Sequence, residues 1–285
     1  MNSITFSENS PTLWKNLFPQ VKPADNKYTR GHLLINGAPL DSTGATKLAA
    51  FAAARAGAGM VTVACEEEAL PVYAASFQSI MAKPMDDGQF MDFMRERKIS
   101  AILLGPGNRT TDAAKKRVLE VLKNKTMRTV LDADAISAFE RDRNLLFNSL
   151  HPNCVLTPHE GEFKRLFSLK AHPANVKQDD SERVAAAVAA AKASNAIIVL
   201  KGNTTVIAAP DGRTVTNSNA PTNLATAGSG DVLAGIIAAL FAQNMPCFEA
   251  TCAGVWLHTE AAKLAGAGLI ADDLPGLIPQ VLGKL

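Results

Sequence analysis

The stretch HLLINGAPLDSTGATKLAAFAAARAGAGMVTVAC (residues 32–65) decides the fold of this 285-residue chain. It opens and closes with short apolar runs, HLLIN (32–36) and MVTVAC (60–65). Continuous apolar runs that do not alternate with polar residues are typical of strands buried on both faces of a parallel sheet. Between them, TGATKLAAFAAARAG (43–57) is an alanine-rich run that favours a helix. The stretch therefore predicts two strands joined by a helix.

The rest of the chain repeats this alternation. Further apolar runs predict strands at 101–105, 129–133, 154–157, 196–202 and 204–209, and helical runs lie at 112–124 and 181–194. Strands that alternate with helices predict an α/β fold with a doubly wound, mostly parallel sheet and helices on both faces. TTVIAAPDGRTVTN (204–217) breaks the rhythm and predicts a hairpin that turns at Asp211-Gly212, giving an antiparallel edge. Residues 1–27 are predicted to form an N-terminal arm, and residues 28–285 a single domain.

Composition excludes several classes of protein. The net charge is +2 and 20% of residues are charged, which is too weak a field to indicate nucleic acid or an acidic membrane as a partner. The apolar runs are too short to span a bilayer, and the N-terminus lacks the pattern of a secretory signal. The four cysteines form no CxxC motif and are interpreted as small buried residues in a reducing compartment; they are Cys65, Cys154, Cys247 and Cys252. We expect a cytoplasmic protein.

Small, polar or charged segments follow the predicted strands. In chain order they are GAPLDSTGA, GPGN, DAD, TPHEGE, KGNTT and NAPTNLATAGSGD. In open α/β sheets, ligands bind outside the carboxyl ends of the strands. We therefore expect these segments to line one crevice, which holds the functional site.

The segment ATAGSGDVLAG (225–235) places two glycines and a carboxylate at the start of an apolar helix. Gly228, Ser229 and Gly230 would leave backbone amides uncovered at the helix N-terminus, which predicts an anion hole. Asp231 could simply cap the helix. However, two unit charges about 4 Å apart repel by about 4 kcal/mol at an effective dielectric near 20, so a site that only holds phosphate would avoid a carboxylate. A site that transfers a phosphoryl group can use Asp231 as the catalytic base for the attacking hydroxyl.

Other motifs leave two interpretations open. Lys201 ends a buried strand, and its amine either reaches polar groups in the crevice or extends to water. In TPHEGEF (157–163), Thr157 is a candidate helix cap and Pro158 suits the first turn, while His159 would point into the crevice. The turn LGPGN (104–108) allows a ligand to approach closely, or is an ordinary turn.

The pair Asp132 and Asp134 in LDADAI (131–136) could bind Mg²⁺ through water or could cap the next helix. Two familiar nucleotide motifs are absent: the sequence has no GxxxxGK[ST], and Gly228, Gly230 and Gly235 do not have GxGxxG spacing. A bound nucleotide would therefore be held differently from that of P-loop or Rossmann proteins.

Taken together and in this order, GPG, LDADA, TPHxGEF, KGxxT and AGSGD resemble the ribokinase-like superfamily and, within it, the ADP-dependent (S)-NAD(P)H-hydrate dehydratase family. The resemblance runs from about Gly31 to the C-terminal GLIADDLPGLIPQVL. It implies repair of NADH and NADPH that have added water across a double bond of the nicotinamide ring. Bacterial-type members use ADP and eukaryotic-type members use ATP, so the resemblance implies ADP (or ATP) as phosphoryl donor with Mg²⁺, and a homotetramer.

Residue roles follow from the resemblance by position. The nucleotide would be held by Lys201, Gly202, Asn203, Thr204, Thr205 and Gly230. The hydrated cofactor would be contacted by Ala45, Gly107, His159 and Asp231. The chain departs from the family pattern at Glu160, where proline is common, at Asn203-Thr204, where Ala-Gly is common, and at Asn223 and Ala227, where glycine is frequent. Many relatives also carry an epimerase domain, and about 30 residues before the first strand are too few for one, so we expect a separate epimerase.

The same motifs admit other functions. A ribokinase-like kinase of a small alcohol, such as a hydroxyethylthiazole or a hydroxymethylpyrimidine, would use the same anion hole and base but release a stable phosphorylated product. A non-catalytic nucleotide sensor would have no use for a carboxylate beside phosphate. A purely structural subunit of an oligomer has only the globular pattern in its favour.

Overall fold

A computed structural model describes residues 6–167 and 180–285 of the chain. The strands in these ranges are β1 Ser7–Glu8, β2 His32–Asn36, β3 Met60–Cys65, β4 Met81–Pro84, β5 Ala101–Leu104, β6 Arg128–Leu131, β7 Cys154–Leu156, β8 Ile197–Leu200, β9 Thr205–Ala208 and β10 Thr214–Asn217. The helices are α1 Thr43–Arg55, α2 Leu70–Ser76, α3 Asp87–Glu96, α4 Asp112–Leu122, α5 Asp134–Ser137, α6 Arg143–Phe147, α7 Glu160–Phe167, α8 Asp180–Ser194, α9 Ser229–Ala242, α10 Cys247–Ala265 and α11 Asp273–Leu282.

The strands form one sheet in the order β1-β10-β9-β8-β7-β6-β5-β2-β3-β4. Neighbours from β8 to β4 in this order pair in parallel, and only β8–β9 and β9–β10 pair antiparallel among the described strands. The chain runs outward from β2 through β3 to β4, and in the opposite direction from β5 to β8. The predicted doubly wound, mostly parallel sheet is confirmed. Its winding reverses between β2 and β5, where such sheets bind ligands.

Two apolar layers enclose the sheet, because successive strand residues point to opposite faces. In β2, Leu33 and Ile35 pack into the layer that contains α1, α2, α9, α10 and α11, while Leu34 packs into the layer of α3 to α8. α1 and α9 approach closely at Gly235, where an added Cβ would lie 2.2 Å from the Ala49 carbonyl oxygen. The prediction of helices on both faces is confirmed.

The antiparallel edge contains one strand more than the sequence predicts. The hairpin turns at Asp211-Gly212 as predicted, and the Gly212 amide donates to the Ala209 carbonyl at 3.0 Å. β10 is not the outermost strand, because Ser7–Glu8 of the predicted arm pairs with it in parallel. The indole of Trp14, in the same arm, is 1% exposed and lies 5.5 Å from the Trp256 ring.

The opposite edge strand, β4, is missed by the sequence interpretation because MAKP is short, largely exposed and ends in proline. None of the helices in the described ranges is both long and apolar enough to cross a membrane.

Candidate active site

The turns after β2 and β5 lie side by side at the point where the winding reverses. Asn36 Nδ2 donates to Asn108 Oδ1 at 2.7 Å, and Asn108 Nδ2 donates to the Asn36 carbonyl at 3.0 Å. Gly107 has a φ of +68°, and its carbonyl accepts from Ser42 Oγ at 3.1 Å. Ser42 is the N-cap of α1, and the half-buried Ala45 lies on the first turn of that helix. The fold therefore brings Ala45 and Gly107 to the same place.

The predicted anion hole lies at the N-terminus of α9. Gly228 is the N-cap and adopts a left-handed conformation with φ of +88°. A Cβ at Gly228 would lie 2.5 Å from Leu48 Cδ1, so both space and backbone conformation require glycine. A Cβ at Gly230 would lie 3.1 Å from Lys201 Nζ. The first turn of α9, whose amides have no partner within the helix, therefore lies beside a lysine amine.

Lys201 extends into the crevice and not to bulk water. Its Nζ lies 3.0 Å from Asp132 Oδ1, and the lysine and aspartate side chains are 21% and 2% exposed. Burial lowers the pKa of Lys201, but the negative charges of Asp132, Glu162 and Asp231 outweigh burial, so the pKa is raised from its usual value. Lys201 is a permanent cation in a pocket of carboxylates.

Asp231 is the third residue of α9 and the carboxylate of greatest chemical interest. Burial raises its pKa to about 7; the charge of Asp132 adds to this effect, and the Lys201 amine opposes it. Among the described residues no donor hydrogen-bonds to this carboxylate. Asp231 is not the N-cap residue, which is Gly228, but it lies in the first turn of α9, where its charge also interacts favourably with the helix dipole. A partly buried carboxylate without a partner and with a pKa near neutrality is suited to accept a proton.

His159 lies at the start of α7, on the exposed side of the crevice. Its side chain is 56% exposed, and its ring Nδ1 accepts from the Gly161 amide at 2.9 Å. The His159 amide donates to Glu162 Oε2 at 2.8 Å. Glu162 is 5% exposed, and its charge raises the pKa of both Lys201 and Asp231. His159 therefore lies one helical turn before a buried carboxylate that acts on both Lys201 and Asp231.

The segment 201–205 connects β8 to β9 and carries the predicted nucleotide contacts. Gly202 and Asn203 are exposed and Thr204 is half-buried. Thr205 begins β9, and its Oγ1 donates to the Gly202 carbonyl at 3.3 Å. The amide of Lys201 donates to the Pro158 carbonyl at 3.0 Å, which joins this segment to the turn that carries His159.

Three details of the sequence interpretation are wrong. Thr157 does not cap α7, because its Oγ1 donates to Asp132 Oδ1 at 2.6 Å, and the His159 ring caps the helix instead. Neither Asp132 nor Asp134 caps α5, whose N-cap is Ala133 without a side-chain hydrogen bond. Asp134 instead accepts from the Arg109 amide at 2.8 Å.

Two buried residues of the site were missed. Arg183 lies behind segment 201–205 and is 8% exposed. His258, on α10, is 5% exposed and lies beside the backbone of Ser229, and burial lowers its pKa to about 4, so its ring is neutral. A sequence signal exists for Arg183, since it shares a helical face with the buried Ala187 and Ala191.

The carboxylates that follow β6, Asp132 and Asp134, could hold a metal ion only together with other ligands such as phosphate and water. Among residues 6–167 and 180–285, no three His, Cys, Asp or Glu side chains are placed to hold an ion. Asp132 Oδ1 already contacts Lys201 and Thr157. Mg²⁺ usually takes only one or two carboxylates and draws its remaining ligands from phosphates and water, so Asp132 and Asp134 fit that role.

Comparisons with known proteins point to one family. The sequence profile described as NAD(P)H-hydrate dehydratase matches residues 33–280. The chain is 38% identical over 272 residues to the ADP-dependent (S)-NAD(P)H-hydrate dehydratase of Neisseria meningitidis serogroup B, covering 92% of this chain and 88% of that protein. It is 35% identical to the bifunctional NAD(P)H-hydrate repair enzyme of Moorella thermoacetica, covering 94% of this chain and 52% of that protein.

A solved structure is also similar throughout. The ADP/ATP-dependent NAD(P)H-hydrate dehydratase of Bacillus subtilis, co-crystallised with ATP and Mg²⁺, superposes with a TM-score of 0.84 at 28% identity and covers 99% of both chains. This similarity, with that to solved proteins of the ribokinase-like superfamily, confirms the ribokinase-like fold. The chain belongs to the NAD(P)H-hydrate dehydratase family.

Proposed function

We propose that this protein is an ADP-dependent dehydratase of the S form of hydrated NADH and NADPH. The observation that carries the proposal is the Asp231 carboxylate, which lies on the first turn of α9 beside the Gly228–Gly230 amides, has no donor among the described residues, and has its pKa raised by burial to about 7. A site that only bound phosphate would gain nothing from this carboxylate. The family assignment supplies the identity of the acceptor.

The first step is phosphorylation of the ring hydroxyl. The hydroxyl oxygen attacks the terminal phosphorus of ADP, its proton passes to Asp231, and AMP leaves with the electrons of the broken phosphorus–oxygen bond. The amides of Gly228 and Gly230, with the Lys201 amine, would stabilise the charge of the phosphoryl group in transit, whereas the predicted Ser229 amide already donates to the Thr226 carbonyl at 3.3 Å. Ala45, Gly107 and His159 would hold the hydrated ring, and the segment from Lys201 to Thr205 would hold the nucleotide with Gly230.

The second step is elimination. Hydroxide is a poor leaving group, whereas the phosphate ester gives inorganic phosphate. The ring nitrogen donates its lone pair, the carbon–oxygen bond breaks with its electrons on phosphate, and loss of a proton from the neighbouring carbon restores the dihydropyridine. Binding both reactants in one crevice accelerates the phosphorylation step, because the attacking hydroxyl is already held beside the phosphorus atom and need not diffuse to it.

Asp132 and Asp134 would hold Mg²⁺ through water, and when bound the ion would neutralise phosphate charge. Asp132 also orients the Lys201 amine, through their contact at 3.0 Å. Substitution of Asp132 would therefore disturb both the bound Mg²⁺ and the Lys201 cation.

The remaining expectations are part of the same proposal. Residues 28–285 would form the dehydratase domain, and the enzyme would work in the cytoplasm as a homo-oligomer, a tetramer by resemblance. A separate epimerase would convert the R form of the hydrate into the substrate. Light scattering coupled to gel filtration measures the oligomeric state; a monomeric mass would contradict that expectation.

The deciding experiment is an assay of hydrated NADH with ADP or ATP. Free phosphate and the absorbance of reduced nicotinamide should appear together and in equal amounts, with AMP formed from ADP. A stable phosphorylated product would identify a small-alcohol kinase instead. Nucleotide binding without turnover of the hydrate would identify a sensor.

A further inference from the structure

Arg183 places a buried cation directly behind segment 201–205. Its Nη2 donates to three main-chain carbonyls, those of Leu200 at 3.5 Å, Lys201 at 3.5 Å and Thr204 at 3.1 Å. These carbonyls lie on both sides of the Gly202-Asn203 tip, so one guanidinium ties the two ends of the loop together. A single planar donor that reaches three acceptors fixes their relative position more firmly than separate contacts would.

This arrangement also sets the direction of a backbone amide. The carbonyl and N–H of one trans peptide point in opposite directions. Because the Lys201 carbonyl faces the guanidinium, the N–H of Gly202 points away from Arg183, toward the exposed side of the loop. Gly202 permits this close approach, since a Cβ there would lie 2.6 Å from Arg183 Nη2.

Glu160 compensates the cost of burying this cation. Its carboxylate forms an ion pair with Arg183 Nη1, and the two side chains are 38% and 9% exposed. Glu160 is the first residue of α7 and directly follows His159. The ion pair therefore connects the loop predicted to hold the nucleotide with the helix start that carries the predicted contact of the hydrated ring.

We propose that Arg183 is a positioning residue that presents the backbone of segment 201–205 to a nucleoside diphosphate, and that Glu160 holds Arg183 in place. The inference rests on the proposed function, because it assumes that this segment binds the nucleotide. Arg183 acts through the loop and has no contact with the reacting atoms.

The test measures the Kd of ADP by calorimetry, and kcat and KM for ADP and for hydrated NADH, in Arg183→Met, Arg183→Lys and Glu160→Gln. Lys164→Met is the matched control, because Lys164 Nζ also approaches Glu160, at 3.6 Å, but, unlike Arg183, makes no hydrogen bond to segment 201–205 in the described part of the chain. R183M should raise the Kd of ADP by roughly tenfold or more, because the loop loses the donor that holds three of its carbonyls. The KM for hydrated NADH should change by less than about threefold, because the three hydrogen bonds of Arg183 all go to the nucleotide loop.

R183K keeps the positive charge and should bind ADP more tightly than R183M does. E160Q should weaken ADP binding a few-fold relative to the unmodified protein. K164M should bind ADP as the unmodified protein does. An unchanged Kd of ADP in R183M overturns the inference, as does an equal loss of affinity for ADP and for hydrated NADH. If R183M does not fold, R183K and E160Q decide by the same two measurements. Failure of the unmodified protein to bind ADP or ATP would instead refute the proposed function, and that outcome is visible without any variant.

Discussion

Two glycine-containing segments meet in the crevice, and they are held in different ways. Gly228–Gly230 is fixed by packing and by the helix it begins, since Gly228 is left-handed and lies against Leu48. Segment 201–205 is a loop between two strands, and its shape depends on the buried charge of Arg183. A rigid helix start suits the part of the site where a phosphoryl group is transferred, and a loop fixed by one side chain suits the part where a nucleotide enters and leaves.

The largest effect should come from removing the carboxylate at the rigid segment. Asp231→Asn keeps the size of the side chain but cannot accept a proton, so turnover should fall by roughly 10²- to 10⁴-fold. The Kd of ADP should not rise, because the loop that would hold the nucleotide is untouched and a carboxylate that repels phosphate is removed. Steady-state kinetics and calorimetry on the same preparation check both parts. Unchanged turnover would show that Asp231 is not the base.

The next effect separates the two glycines of the anion hole. Gly228→Ala introduces a Cβ at a φ of +88° and 2.5 Å from Leu48 Cδ1, so α9 must begin in a different position. Displacement of the amides should lower kcat by about 10²-fold. Gly230→Ala is the comparison variant and should lower kcat less, because Gly230 is not among the glycines of positive φ and its Cβ would meet only Lys201 Nζ, at 3.1 Å. Equal losses of kcat in the two variants would contradict the interpretation that the conformation and packing of Gly228 fix the anion hole.

The pH dependence should report the same carboxylate. The pKa of Asp231 is raised to about 7, so the base is protonated and inactive below that pH, and kcat/KM should rise as the pH increases through about 7. The Lys201 amine lowers this pKa, so Lys201→Met should move the profile to higher pH. A profile in Lys201→Met that is unmoved or moves to lower pH would show that Lys201 does not control the base.

The smallest effect is on stability. Because folding raises the pKa of Asp231 from 3.8 to about 7, the folded protein binds one more proton than the unfolded chain between these pH values. The contribution of Asp231 to the free energy of unfolding is therefore fully present below pH 3.8, its pKa in the unfolded chain, and is lost as the pH rises through about 7, its pKa in the folded protein. Asp231→Asn should raise the Tm by a few degrees at pH values above about 7 and leave it nearly unchanged near pH 4. A Tm difference that does not vary with pH would contradict the buried charge as its cause.

The sequence predicts the fold where local pattern and tertiary environment agree. The run HLLIN becomes β2 without change of bounds, since a fully buried strand needs a continuous apolar run. β1 carries no such pattern, because the two residues Ser7–Glu8 are exposed and are strand only through pairing with β10. α10 is missed because it is buried on nearly every side and has little helical periodicity.

The candidate site follows the same division. Lys201 and Asp231 stand out in the sequence because charges at the ends of apolar runs need a reason. What these charges contact cannot be read from the sequence, since Lys201 contacts Asp132, which lies 69 positions away. Arg183 shares a helical face with buried alanines, but that pattern does not reveal the loop carbonyls, 17 to 21 positions away, to which its guanidinium donates. His258 was missed together with the helix that carries it, α10.

The pairing of β1 with β10 has a consequence for how the chain folds. Ser7 pairs with Val215, and Asn9 Nδ2 donates to the Cys252 carbonyl at 2.8 Å, a contact across 243 positions. Contacts of such separation close large loops, and they slow folding because the entropy is lost before the contact forms. On the ribosome, β1 emerges long before Val215 and Cys252 are synthesised. It must therefore wait unpaired until synthesis has passed β10 and the Cys252 position on α10.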